Sequence, residues 1–197
     1  MLVIPKDWER RWKGKDAFEQ IFALEGAVLK RKRDHKTLRV RLEGKNYYVK
    51  LHQGVGWREI IGNLARFRVP VLGAENEWRA IRRLHEVGIE TMRLAGYGKR
   101  GWNPARRRSF VITEELGQTI SLEDFCHDWK TSPPPYALKR ALITKVAHVA
   151  RTLHEHGINH RDLYLCHFLL DTSAGQESIS SDSISLYLID LHRVQIR

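Results

Sequence analysis

The residues of this chain best suited to chemistry stand in "NHRDLYLCHFLLD", residues 159–171. An acid, Asp162, follows a histidine and an arginine, His160 and Arg161; a thiol and a second histidine, Cys166 and His167, come next, and then an apolar run. Taken alone, the stretch fits three readings: a catalytic loop, a metal site, or polar residues ahead of a buried strand. Metal ligation by Cys166 and the histidines is disfavoured, because the spacing fits no standard zinc finger or ribbon and His154 and His156 lie on different faces of a helix end. A nucleophilic cysteine is disfavoured too, since nothing nearby singles out a base oriented by a third group.

Three more polar residues need explaining by position. "TLRVRLEGKNYYVKLH" (37–52) reads as a hairpin turning at Gly44-Lys45, and period two puts Tyr47, Val49 and Leu51 on one face and Tyr48, Lys50 and His52 on the other. Lys50 is therefore a charge inside a strand. In "AENEWRAIRRLHEVG" (74–88) the helical spacing puts Glu77 on the apolar face of Ala80, Ile81 and Leu84, where a carboxylate needs a partner. Asp190 ends the apolar strand read from "ISLYLIDLH".

The order of strand lysine, helix glutamate, His-Arg-Asp and strand-ending aspartate is that of a phosphotransferase of the protein-kinase type. A lysine neutralises nucleotide phosphates, a glutamate holds it, one aspartate accepts the proton of the acceptor hydroxyl and another binds Mg²⁺. Two departures stand out. With four residues intervening after Asp162, the position of the pattern's metal-side asparagine is held by His167, and Asp190 is followed by Leu191 and His192 rather than Phe-Gly. The glycine-rich phosphate loop is absent as well; "EGAVLKRKRDHKT" offers Lys30, Arg31, Lys32 and Arg33 instead.

With these departures, "HRDLYLCHFLLD" and "IDLHR", together with "GWREIIGNL", "PVLGAENEWRAIRRLHEVG" and "FVITEEL", closely resemble the lipopolysaccharide core heptose kinase family over essentially the whole chain. The resemblance implies an α+β, bilobal protein-kinase-like fold and transfer of phosphate from ATP, with Mg²⁺, to the first inner-core heptose. It implies nucleotide contacts for Lys50 and Glu77, and a hinge at Glu114 to Leu116 whose backbone receives adenine. Asp162 would be the base, with Arg161 and His160 supporting the loop, and Asp190 and His167 would lie at the metal. The N-terminal lobe, an antiparallel sheet plus helix, would span 1–117, and a mainly helical C-terminal lobe 118–197. Family members run longer, so this second lobe is expected to be incomplete.

The elements that must position these residues are legible in outline. Strands are read in "RLAGYGKRG" and "RSFVITEEL", a short helix capped by Ser121 before three prolines, and a long helix in "YALKRALITKVAHVARTLHEHG" with the stripe Leu138, Leu142, Val146, Val149 and Leu153. With 197 residues, 42% hydrophobic, the chain can build a core, and its net charge of +11 favours polyanionic partners. The basic runs lack the interleaved aromatics of a nucleic-acid groove, so no nucleic acid is expected. No apolar run approaches the length of a bilayer span, and two cysteines in unlike contexts fit a reducing compartment. The expected place is the cytoplasm, in peripheral contact with the inner membrane that carries the lipopolysaccharide acceptor. The competing readings are a kinase for another acceptor, octulosonic acid or protein Tyr or Ser, and a truncated, non-catalytic module that binds nucleotide or lipid. Trp57, after Gly54 and Gly56, is read as a staple of its loop rather than a sugar contact.

Overall fold

The computed structural model describes residues 1–32, 34–67, 70–173 and 184–197. Arg33 of the basic run and most of the polar stretch 172–183 lie outside the described residues. The chain divides into two compact units: Met1–Arg79 with Arg93–Glu115, and Ala80–Met92 with Leu116–Arg197.

The first unit is built on a six-stranded antiparallel sheet of order β1-β5-β6-β4-β3-β2. Its strands are β1 (Leu2–Val3), β2 (Ala27–Arg31), β3 (His35–Leu42), β4 (Lys45–His52), β5 (Leu94–Arg100) and β6 (Arg108–Glu114). The β3–β4 hairpin runs in unbroken register from His35 opposite His52 to Leu42 opposite Lys45. Its turn is Glu43-Gly44, one residue earlier than the sequence suggests. Both residues have positive φ, 49° and 77°, the geometry of a tight two-residue hairpin whose twist matches that of its strands.

Tyr47, Val49 and Leu51 point into the core as period two requires, while Tyr48, Lys50 and His52 are only partly covered. The core side is closed by elements with little sequence signature, α1 (Lys6–Arg11) and α2 (Ala17–Phe22). Trp8, Phe18 and Ile21 from these helices, with Trp12 just after α1, pack with Leu38, Val40, Val49, Phe110 and Ile112. Arg108 stacks its guanidinium 4.0 Å over the Phe22 ring, and it and Arg100 both bond Glu19. Helix α3 (Trp57–Leu64) follows β4. Helix α4 (Glu75–Glu86) contributes Glu75 to Arg79 here and the rest of its length to the second unit. Gly88, at φ 74°, ends α4, and Ile89 N–H returns to Leu84 O at 2.9 Å.

The second unit holds β7 (Thr119–Ser121), the short α5 (Leu122–Phe125), and the long α6 (Tyr136–Glu155). Its remaining strands are β8 (Ile158–Asn159), β9 (Phe168–Asp171), β10 (Leu186–Leu188) and β11 (Gln195–Ile196). Ser121 caps α5 by accepting from Asp124 N–H, as read from the sequence. On α6, Leu142, Val149 and Leu153 are buried, and Leu138 and Val146 lie at the stripe's edge, half-buried. Strands β10-β9-β7 form one small antiparallel sheet and β11-β8 another. The strand expected to end at Asp190 ends at Leu188, and Cys126 and Cys166 are free thiols.

Candidate functional site

In the first unit the structure brings together the two residues that the sequence marks as charges in need of partners. Lys50 Nζ donates to Glu77 Oε1 at 2.6 Å. Strand alternation turns Lys50 away from the core, and helical spacing puts Glu77 on the covered face of α4, where it is 1% exposed. Glu77 Oε2 is buried with no hydrogen-bond partner among the described residues, so Lys50 is its carboxylate's one resolved charge partner.

Where β6 ends, Glu114 and Glu115 spend their N–H groups on Arg93 O and Asn46 O, at 2.9 and 3.0 Å. Leu116 N–H has no such partner among the described residues. The Glu115 carboxylate gathers Arg39, Asn46 and Tyr48, and the hydrogen bond from Arg39 holds its pKa below the usual range. It ties the strand exit to β3 and β4, a role that nothing in its spacing announces.

The second unit holds its own set of polar residues. Strands β8 and β11 pair, and the pairing brackets both polar loops: His160, Arg161 and Asp162 follow β8, and Asp190 to Arg193 precede β11. Arg161 and Asp190 both adopt left-handed backbone, at φ 62° and 61°. A side chain is rarely held there without surrounding structure that imposes it, and such residues cluster at functional loops.

His160 is 2% exposed and its Nε2 lies 2.9 Å from Ile189 O. A carbonyl can only accept, so Nε2 carries the proton; burial pushes this ring's pKa below its ordinary value and favours the neutral form. His160 thereby fastens the first loop to Ile189, the residue just before Asp190. His167 does the same from the other side. Its Nδ1 donates to Asp162 O at 2.6 Å, and its own carbonyl accepts from Ile189 N–H at 2.9 Å.

The Asp162 carboxylate is engaged by a residue that the motif does not name. Arg193 Nη1 lies 3.0 Å from both Oδ1 and Oδ2. The two residues are 31 positions apart, and the β8–β11 pairing is what makes them neighbours. Asp190 Oδ1 is 2.7 Å from His192 Nδ1, and Oδ2 is 3.5 Å from His167 Nε2.

This last contact tests the fit of a divalent cation. His167 Nε2 and the Asp190 carboxylate face each other across 3.5 Å, an imidazole nitrogen and a carboxylate oxygen of the kinds that ligate divalent cations. Among the described residues no group of three or more His, Cys, Asp or Glu could hold a metal by itself. The arrangement therefore fits Mg²⁺, which takes one or two carboxylates and completes its shell with substrate phosphates and water, better than a metal caged by protein.

The model of the lipopolysaccharide kinase (Kdo/WaaP) family matches residues 19–197. The chain belongs to this family. Two curated members are each named lipopolysaccharide core heptose(I) kinase WaaP. The one from Pseudomonas aeruginosa is 49% identical over 196 residues, covering 100% of this chain and 72% of its own length. That from Escherichia coli K12 is 50% identical over 198 residues, covering 100% and 73%. Among solved structures, WaaP in complex with acyl carrier protein superimposes with a TM-score of 0.84 at 44% identity, over 100% of this chain and 73% of that one. Among the described residues no helix is long and apolar enough to cross a membrane.

Proposed function

We propose that this chain is an ATP-dependent kinase of bilobal, protein-kinase-like fold that phosphorylates heptose I of the lipopolysaccharide core. The observation that carries this reading is the pair of polar sets, Lys50 with Glu77 and Asp162 with His167 and Asp190, in a chain about half identical over its full length to proteins named as heptose(I) kinases. Lys50, held by Glu77, meets the nucleotide phosphates, and the stretch from Glu114 to Leu116 receives adenine, with the Leu116 N–H as the donor left open.

Asp162 accepts the proton of the heptose hydroxyl as its oxygen bonds to the γ-phosphorus and the bond to the ADP oxygen breaks. Arg161 and His160 shape the loop that presents this carboxylate. Asp190, with His167 beside it, would hold Mg²⁺, which would supply neutralisation of phosphate charge. Positioning and charge neutralisation do most of the work in this class of reaction, which suits a site made of braced loops. An acceptor of this kind is a membrane glycolipid, so the protein works at the cytoplasmic face of the inner membrane, and its net charge of +11 favours that surface.

The test is phosphate transfer from labelled ATP to core lipopolysaccharide with and without heptose. Transfer that depends on heptose and vanishes in Asp162→Ala supports the reading. Equal labelling of a heptose-free acceptor assigns the activity to another group, such as octulosonic acid, and sinks the heptose assignment.

A further inference from the structure

On the sheet of the first unit, three side chains converge on one carboxylate. Strand pairing puts Arg39 of β3 opposite Tyr48 of β4, and Tyr48 opposite Thr113 of β6. Period two lines up Asn46, Tyr48 and Lys50 on the face of β4 opposite Tyr47, Val49 and Leu51. Glu115, two residues after Thr113, meets them there.

Arg39 grips the Glu115 carboxylate as a fork, with Nε 2.7 Å from Oε1 and Nη2 2.9 Å from Oε2. Tyr48 OH donates to Oε1 at 2.9 Å, and Asn46 Nδ2 to Oε2 at 2.6 Å. A carboxylate has about four acceptor positions, so this one is filled. The Glu115 N–H, bonded to Asn46 O at 3.0 Å, fixes the main chain at the same point. Exposed ion pairs are usually worth little, because flexible side chains lose entropy on meeting and water screens them. Here the planar fork is preorganised and the Glu115 side chain is only 23% exposed.

The next residue breaks the pattern. Leu116 N–H has no backbone partner among the described residues, and Gly117 and Gln118 are exposed. Within one peptide the chain passes from a residue held at main chain and side chain to an open donor. A donor next to a clamped residue keeps its direction, which suits the flat, hydrogen-bonding edge of a nucleotide base and removes the cost of ordering the chain when the base binds. The clamp also shares its face of β4 with Lys50, which stands two residues beyond Tyr48 and four beyond Asn46, about 7 and 14 Å along the strand.

We propose that Arg39, Asn46 and Tyr48 are positioning residues for the nucleotide base: through Glu115 they fix the direction of the Leu116 N–H, and so set affinity for the base and not for the phosphate chain. The inference rests on the kinase reading. The probes are ATP and inorganic tripolyphosphate, each titrated with Mg²⁺ into the full chain by calorimetry. Arg39→Leu removes the fork and should raise the Kd for ATP about tenfold, the factor expected when one backbone residue must be ordered on binding, while the Kd for tripolyphosphate stays within about twofold. Tyr48→Phe keeps the ring, removes a single donor, and should raise the Kd for ATP about threefold with tripolyphosphate again unmoved. Arg39→Lys keeps the charge without the fork and should fall between the wild type and Arg39→Leu. Unchanged ATP binding in Arg39→Leu and Tyr48→Phe overturns the inference. Equal loss of ATP and tripolyphosphate overturns it as well, since a sheet that is merely loosened would weaken both. If the wild type binds ATP no more tightly than tripolyphosphate, the nucleotide site itself is wrong and the kinase reading falls with the inference; failure confined to the variants sinks the inference alone.

Discussion

Replacing Lys50 by methionine tests the central ion pair through stability as well as activity. Glu77 is 1% exposed and one of its oxygens already lacks a partner, whereas the Lys50 side chain is 25% exposed. The two halves of the pair are therefore not equivalent. Lys50→Met strands a carboxylate with no water to receive it, and breaking a buried pair in this sense costs about 3–5 kcal/mol. Because water reaches the lysine side of the contact, the lower end, about 3 kcal/mol, is the expected loss. Glu77→Gln keeps an acceptor oxygen for a lysine that can hydrate through its exposed part, and should cost about 1 kcal/mol. For a chain of this size these losses correspond to melting points lower by about 6–12 °C and 2–4 °C. The double variant removes the buried charge altogether and should be no less stable than Lys50→Met alone, a coupling of order 1–2 kcal/mol. Thermal and urea unfolding of the three unliganded full-length variants measures all of this. Equal losses in the two single variants, or a double variant equal to their sum, would refute the argument that Glu77 is buried and depends on Lys50.

Three further outcomes are expected. Asp162→Asn, which keeps shape but not charge, should lower kcat by about 10²–10⁴ while the Kd for ATP, read by calorimetry, changes little. Arg193→Ala should lower kcat by about fivefold with ATP affinity retained, since the contact is charge-assisted but Arg193 is 43% exposed, and Arg193→Lys should recover part of the loss. The third concerns pH. The hydrogen bond from Arg100 lowers the Asp16 pKa from 3.8 to about 2. A carboxyl depressed on folding contributes stability that is present above 3.8 and is lost as pH falls toward 2. Carbon-detected NMR titration should find Asp16 near 2 in the wild type and raised toward 3.8 in Arg100→Ala, and the variant's unfolding midpoint should respond less to pH across that window.

Much of this was legible because it depends on periods and local order. Alternation in β4 put Lys50 opposite the core residues Tyr47, Val49 and Leu51, and helical spacing put Glu77 on a covered face; each charge then demanded a partner, and the structure pairs them. The Ser121 cap and the Gly88 stop depend on one or two neighbouring residues and were equally readable. Helices α1 and α2 were not, because six residues apiece give too few turns for a periodic signal, although Trp8, Trp12, Phe18 and Ile21 supply much of the first unit's core. Trp57 was misjudged for a related reason: whether an aromatic beside glycines packs inward is decided by what surrounds it, and nothing covers half of this one.

The order of chemical groups along the chain belongs to the sequence by itself: lysine on a strand, glutamate on a helix, Asp162 with four residues between it and His167, and Asp190 beyond. That order depends only on residue type and spacing. Tertiary structure decided how those groups are held. The β8–β11 pairing joins segments over 30 residues apart, sets Arg193 against Asp162, and lets His160 and His167 brace the Asp162 loop against Ile189, just before Asp190. Contacts at such separation follow from strand register, for which local sequence carries no period.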